Sequence, residues 1–205
     1  MASHVEAFTL FLERHGLPGL TMAMRQRIDG KRSAEIFPIV FDREVSVEEV
    51  ATFEDEKEGA YRELSRARLR PLAGAVTLLD RLAARGIGVA IATSAPEKNV
   101  AHTLAAIGLE DRFNVIVRSD EVPRGKPFPD VFLRAAARLG VAPESCLAFE
   151  DAPAGITAAR AAGMRCVAIL SSYPAETFDA LDSPPDAHYR DFDAFLAGDG
   201  RWLSS

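Results

Sequence analysis

Cysteine is scarce in this chain of 205 residues. There are two, Cys146 and Cys166, with no CxxC pairing and no spacing that would hold zinc. That excludes a disulfide framework, and two isolated thiols fit a reducing cytosol. Basic charge is also short: 24 Lys and Arg stand against 30 Asp and Glu, a net charge of −6. General nucleic-acid binding leaves a basic footprint, so this balance argues against it. The sequence opens with no basic region followed by an apolar run, and no apolar stretch approaches the roughly 20 residues of a membrane-spanning helix. The expectation is a cytoplasmic protein without a membrane or nucleic-acid partner, acting as a monomer. Repeats and low-complexity tracts are absent, and no strand-like run is convincing before about residue 87.

What is present is the composition of an ordinary globule, 48% hydrophobic and 26% charged. The first third reads as helices. Ser3 and Glu6 have capping-box spacing ahead of Val5, Phe8 and Leu12, and Gly16 is a natural stop. A second helix is expected from Thr21 to Asp29 and a third from near Ser33. Ser46 and Glu49 form another capping-box pair that opens a long helix carrying Val50, Phe53, Tyr61 and Leu64 on one face.

The pattern then changes. Helical stretches at Pro71–Gly86, Ala95–Ile107, Asp130–Leu139 and Ala154–Ala162 alternate with four short apolar runs. These are GVAIAT ending at Thr93, Val115–Val117, CLAFE ending at Glu150, and CVAIL ending at Leu170. Buried strands alternating with amphipathic helices predict an α/β fold, a Rossmann-like parallel sheet covered on both faces. The helical stretch 1–67 is read as a small N-terminal cap domain and 68–205 as the α/β core domain. Ser183–Asp186 reads as a loop and Asp191–Leu196 as a last short helix.

Open α/β sheets bind ligands at the carboxyl ends of their strands, so chemistry is sought there. Thr93 and Ser94 follow the first apolar run. Their hydroxyls could hold a phosphate oxygen at the next helix start, or Ser94 could simply cap that helix with Glu97 three residues on. Lys126 lies in Arg124-Gly125-Lys126-Pro127-Phe128-Pro129-Asp130. It is either a solvated surface lysine or, held by a proline-stiffened loop, a fixed ammonium for an anionic group. Glu150 and Asp151 end the third run and are followed by Ala152-Pro153-Ala154-Gly155. Adjacent carboxylates repel, and Mg²⁺ would relieve that repulsion; the alternative is a helix cap beside a solvated glutamate.

This order of motifs resembles the second, third and fourth motifs of the haloacid-dehalogenase-like superfamily. The residues that carry it are TS after the first run, GKPFPD in a loop, and FEDAPAGITAARAAGM after the third. Its β-phosphoglucomutase-like branch is the most similar. The resemblance implies an aspartyl-phosphate mechanism on a small phosphorylated metabolite. It implies phosphate contacts from Thr93 and Ser94, with Asn99 nearby. Lys126 would bridge phosphate and nucleophile, and Asp151 would ligate Mg²⁺ with Glu150 directly or through water. Lys31 and Arg32 fall where this branch keeps a substrate-specificity loop, and could equally be an exposed basic pair. His4 falls where a histidine commonly follows the first motif, and could equally be a surface residue.

That first motif, a strand ending in Asp-x-Asp-Gly, is not matched. The two Asp-Gly pairs, Asp29-Gly30 and Asp199-Gly200, follow no apolar strand and have no aspartate two residues earlier. Met1-Ala2-Ser3-His4-Val5 looks like text just downstream of it. The expectation is that Met1 is an internal methionine, that a central strand between those ending at Thr93 and Glu150 lies outside this chain, and that the chain by itself is marginally stable and does not turn over. A phosphatase is favoured over a phosphomutase. A non-catalytic phosphate-binding regulator is the alternative from another class, and a dehalogenase has no supporting feature in the cap.

Overall fold

The computed structural model describes residues 2–21, 24, 27–28, 33–113 and 115–198. Two compact units, Met1–Leu69 and Arg70–Ser205, make up the chain.

In the first unit, α1 (Ala2–Arg14) and α3 (Val47–Ser65) pack along one another, and α2 (Ser33–Phe41) packs on α3. Phe8, Phe11, Leu12, Ile28, Phe37 and Val40 are buried together, with Phe41 and Phe53 against them. The helix face of α1 is thus Ala7, Phe8, Phe11 and Leu12, while Val5, assigned to it from the sequence, is exposed. Ser3 lies inside α1, so it does not cap that helix; the chain is already helical at Ala2. Gly16 ends the helix as expected, at φ +65°, where the amide of Leu17 reaches back to the carbonyl of Leu12. The capping box of α3 forms in full: the amide of Glu49 donates to Ser46 Oγ and the amide of Ser46 to the Glu49 carboxylate. Arg43, and after it that Ser46 amide, hold the Glu49 carboxyl down at about 2. Of the helix expected over Thr21–Asp29, Met24, Arg27 and Ile28 are helical and most of the rest lies outside the described residues.

In the second unit the alternation predicted from the sequence is observed. The elements are α4 (Ala75–Ala84), β1 (Ala90–Thr93), α5 (Glu97–Ile107), β2 (Val115–Arg118), α6 (Asp130–Leu139), β3 (Leu147–Glu150), α7 (Pro153–Ala161), β4 (Arg165–Ile169), α8 (Ala175–Asp179), β5 (Ala187–Tyr189) and α9 (Phe192–Ala197). Helix α4 is shorter than the expected Pro71–Gly86. Gly74 packs so tightly on the Phe192–Asp193 backbone that a Cβ there would collide with it, and both those amides donate to the Ala73 carbonyl. The stretch before Ala75 is therefore a turn clasping α9.

Among the described residues all strand pairing is parallel, in two sheets ordered β1–β2 and β3–β4–β5. Alternate strand residues face opposite sides. On one face, Val117, Ala148, Cys166 and Ala168 share a core with Val131, Phe132, Ala135 and Ala136 of α6 and Ile156, Ala158 and Ala159 of α7, and Ala90 and Ala92 pack against it. On the other, α4 sends Leu79 towards Ile91 and Ile116 and Leu78 towards Val167 and Ile169. One pair of helix layers therefore covers both sheets. Among the described residues no strand pairs with the β1 edge away from β2 or the β3 edge away from β4.

Candidate active site

The C-terminal ends of β1 and β3 are joined by one side chain. Lys126 Nζ donates to the Ala92 carbonyl of β1 at 3.1 Å and forms an ion pair with Glu150 at the end of β3. It also lies 5.0 Å from the centre of the Phe132 ring. The lysine side chain is 14% exposed and that of Glu150 8%, so this is a desolvated pair rather than a solvated surface lysine. The loop that delivers it is braced by the amide of Phe128 donating to the Gly125 carbonyl and by Arg124, which pairs with Asp130 and covers the Phe128 ring.

Glu150 is held from the other side as well. Its second oxygen accepts the amide of Asp151 at 3.1 Å. A Cβ placed on Gly155, in the first turn of α7, would land on the Glu150 carboxylate. Glycine there lets the carboxylate lie against the positive end of the helix. The next carboxylate, Asp151, faces a different set of partners. Its Oδ2 accepts Ser172 Oγ at 2.5 Å and Ser171 Oγ at 3.3 Å. Its Oδ1 carries no hydrogen bond among the described residues.

At the end of β1, Thr93 Oγ1 accepts the amide of Ala95 at 3.0 Å, which leaves the hydroxyl proton free to donate elsewhere. Ser94 and Glu97 do not form a capping box. Pro96 occupies the N-cap of α5, so the helix begins two residues too late for Ser94 to serve it. The Ser94 hydroxyl instead lies 3.3 Å from Ser119 Oγ at the end of β2, which is equally near the Thr93 carbonyl. Asn99 is 3% exposed in the first turn of α5, enclosed in the protein rather than presented at its surface.

His4 belongs to the helical unit. Its ring stacks on Tyr61 with centroids 3.8 Å apart; the residue keeps an exposed surface, and partial desolvation of the ring draws its pKa below the usual 6.5. Lys31 and Arg32 lie outside the described residues. Reading the sequence passed over Ser119, Ser171 and Ser172. The last two follow the fourth apolar run, and the strand-end rule that singled out Thr93 and Glu150 reaches them too.

No group of three or more His, Cys, Asp or Glu among the described residues could hold a metal. Two adjacent carboxylates, one with an open oxygen, are still the sparse donor set that Mg²⁺ accepts when water and phosphate complete its shell. With one ammonium against two carboxylates the cluster carries a net negative charge, which favours a cation. The residues present therefore fit Mg²⁺.

The family model for haloacid dehalogenase-like hydrolases matches residues 5–163. The chain belongs to the haloacid dehalogenase-like hydrolases. Among curated members of this family, it is 46% identical over 115 residues to protein CbbY of Rhodobacter capsulatus, a match covering 54% of this chain and 51% of that protein. It is 32% identical over 165 residues to the phosphorylated carbohydrates phosphatase of Thermotoga maritima, covering 78% of this chain and 74% of that one. A solved haloacid dehalogenase-like hydrolase from Entamoeba histolytica superposes with a TM-score of 0.85 at 25% identity, over 94% of this chain and 87% of its own. The chain thus spans about half the length of the CbbY relative. A solved putative β-phosphoglucomutase from Thermotoga maritima superposes with a TM-score of 0.72 at 26% identity, over 94% of this chain and 89% of its own, in line with the β-phosphoglucomutase-like resemblance of the motifs.

Proposed function

We propose that this chain is the bulk of a Mg²⁺-dependent phosphohydrolase acting on a small phosphorylated sugar. The observation that carries the reading is Lys126 drawing the ends of β1 and β3 together beside Asp151. The named relatives point to the substrate class: one is a phosphorylated carbohydrates phosphatase. In this reading Thr93 and Ser94 donate their free hydroxyl protons to phosphate oxygens. The ammonium of Lys126 neutralises charge on the transferring group. Asp151, with Glu150 beside it, holds Mg²⁺, which when bound withdraws charge from the phosphoryl oxygens.

The nucleophilic aspartate comes from a strand outside these 205 residues that pairs with the open edges of β1 and β3. Support for this is twofold: the two sheets share their helix layers, and the sequence contains no Asp-x-Asp-Gly. The helical stretch 1–67 is the cap domain of this reading, and the enzyme works as a cytoplasmic monomer. No helix among the described residues is long and apolar enough to cross a membrane.

The test is an N-terminal extension by one apolar strand ending in Asp-x-Asp-Gly, assayed on p-nitrophenyl phosphate and hexose phosphates. Mg²⁺-dependent turnover in the extended protein, lost with Lys126→Ala and absent from the 205-residue chain, is the expected result. A folded extended protein that binds phosphate but stays silent would favour a phosphate-binding regulator. Transfer between two positions of one sugar, instead of release of phosphate, would favour a phosphomutase.

A further inference from the structure

Asp151 and Glu150 are neighbours in sequence but are held in different ways. Glu150 is engaged on one oxygen by Lys126 and on the other by a backbone amide, and Gly155 packs closely against it. Asp151 is held on one oxygen by two hydroxyls from the turn after β4. That turn is itself fixed. The amide of Leu170 donates to Tyr189 of β5 at 2.9 Å, and the amide of Ser171 to the carbonyl of Ile169 at 2.8 Å. Ser172 is half-buried, so its 2.5 Å hydrogen bond is only partly shared with solvent.

A carboxylate with one oxygen engaged has its plane fixed and presents the other oxygen in one direction. A free carboxylate would rotate, and a bound cation would have to stop that rotation. We propose that Ser172, assisted by Ser171, is the positioning residue of the cation site: its hydroxyl orients Asp151 so that Oδ1 meets a divalent cation. This rests on the reading of Asp151 as a metal ligand. Outer-shell partners of this kind alter metal affinity by about 10–100-fold when removed. Ser171, at 3.3 Å, contributes less.

The test is an Mn²⁺ titration of the 205-residue chain followed by electron paramagnetic resonance, with Mg²⁺ as competitor and circular dichroism on every variant. Wild type is expected to bind one Mn²⁺ that Mg²⁺ displaces. Ser172→Ala is expected to weaken binding about tenfold or more with an unchanged fold. Ser172→Thr, which keeps the hydroxyl, restores it. Ser172→Cys keeps the volume but has only a weak donor, so it must show the loss as well. Equal affinity in wild type and Ser172→Ala, alongside loss in Asp151→Asn, would overturn the positioning role and leave the metal reading standing. Failure of wild type to bind, or unchanged binding in Asp151→Asn, would overturn both.

Discussion

The two units of this chain fill their interiors in different proportions of rings and small residues. Met1–Leu69 closes around rings: Phe11 contacts Phe8, Phe37, Phe41 and Phe53, and His15 lies among them. In Arg70–Ser205 one core is half alanine: Ala135, Ala136, Ala148, Ala158, Ala159, Ala162 and Ala168 lie around Phe132, Ile156 and Phe178. A small helical unit has little area to bury and takes it from a few large side chains. A layered sheet gains instead from helices lying close to it, which large residues would prevent. The first interior should fail when something is removed and the second when something is added.

Deletion in the helical unit gives the largest expected effect. Phe11→Ala should cost about 3–5 kcal/mol, since it removes a fully buried ring at the centre of the cluster. Denaturant unfolding watched by near-ultraviolet circular dichroism would show it. A loss no larger than that of an exposed Val47→Ala control would break the contrast between the units. Addition in the α/β unit comes next. Ala159→Leu, at a fully buried position, should cost about 1–3 kcal/mol by overpacking. If its denaturation midpoint equals that of wild type, the alanine core has slack that the close packing argument denies.

Smaller still is Ser46→Ala, which removes one half of a complete capping box and should cost about 1 kcal/mol. Ser46→Asp should recover most of it in the same denaturation assay. The smallest effect is a dependence on pH. His4 has its folded pKa below its unfolded value of 6.5, so the unfolded state takes up the proton first as pH falls. The stability that His4 contributes is complete above pH 6.5 and declines below it. Comparing urea midpoints at pH 8 and pH 5.5 for wild type and His4→Gln isolates this share, which should vanish in the variant.

Much of the core domain could be read from the sequence because its signals were local and agreed with one another. Asp130–Leu139 is bounded by Pro129 and Gly140, and the observed helix has the predicted limits. Ser46 and Glu49 sit at the one spacing that satisfies both amides. Where two local rules competed, the sequence alone did not decide. Ser94 and Glu97 have the same spacing as Ser46 and Glu49, but Pro96 between them takes the N-cap and leaves Ser94 at the strand end. The three-residue β5 escaped notice because so short a strand shows no periodicity, and what defines it is pairing with β4. The partition of Glu150 and Asp151 between a lysine and two serines depends on residues 24 and 21 positions away. No spacing rule covers such distances.

The two thiols, Cys146 and Cys166, give the molecule an internal clock. Cys166 lies in the middle strand of its sheet with no exposed surface, and burial raises its pKa to about 12. An alkylating reagent needs both access and thiolate, and at neutral pH Cys166 offers neither until β4 leaves its neighbours. Cys146 is partly accessible, and the helical unit contains no thiol at all. The rate at which Cys166 takes up label, with Cys146 as the internal reference, therefore times the opening of the α/β unit alone, whatever the helices before it are doing.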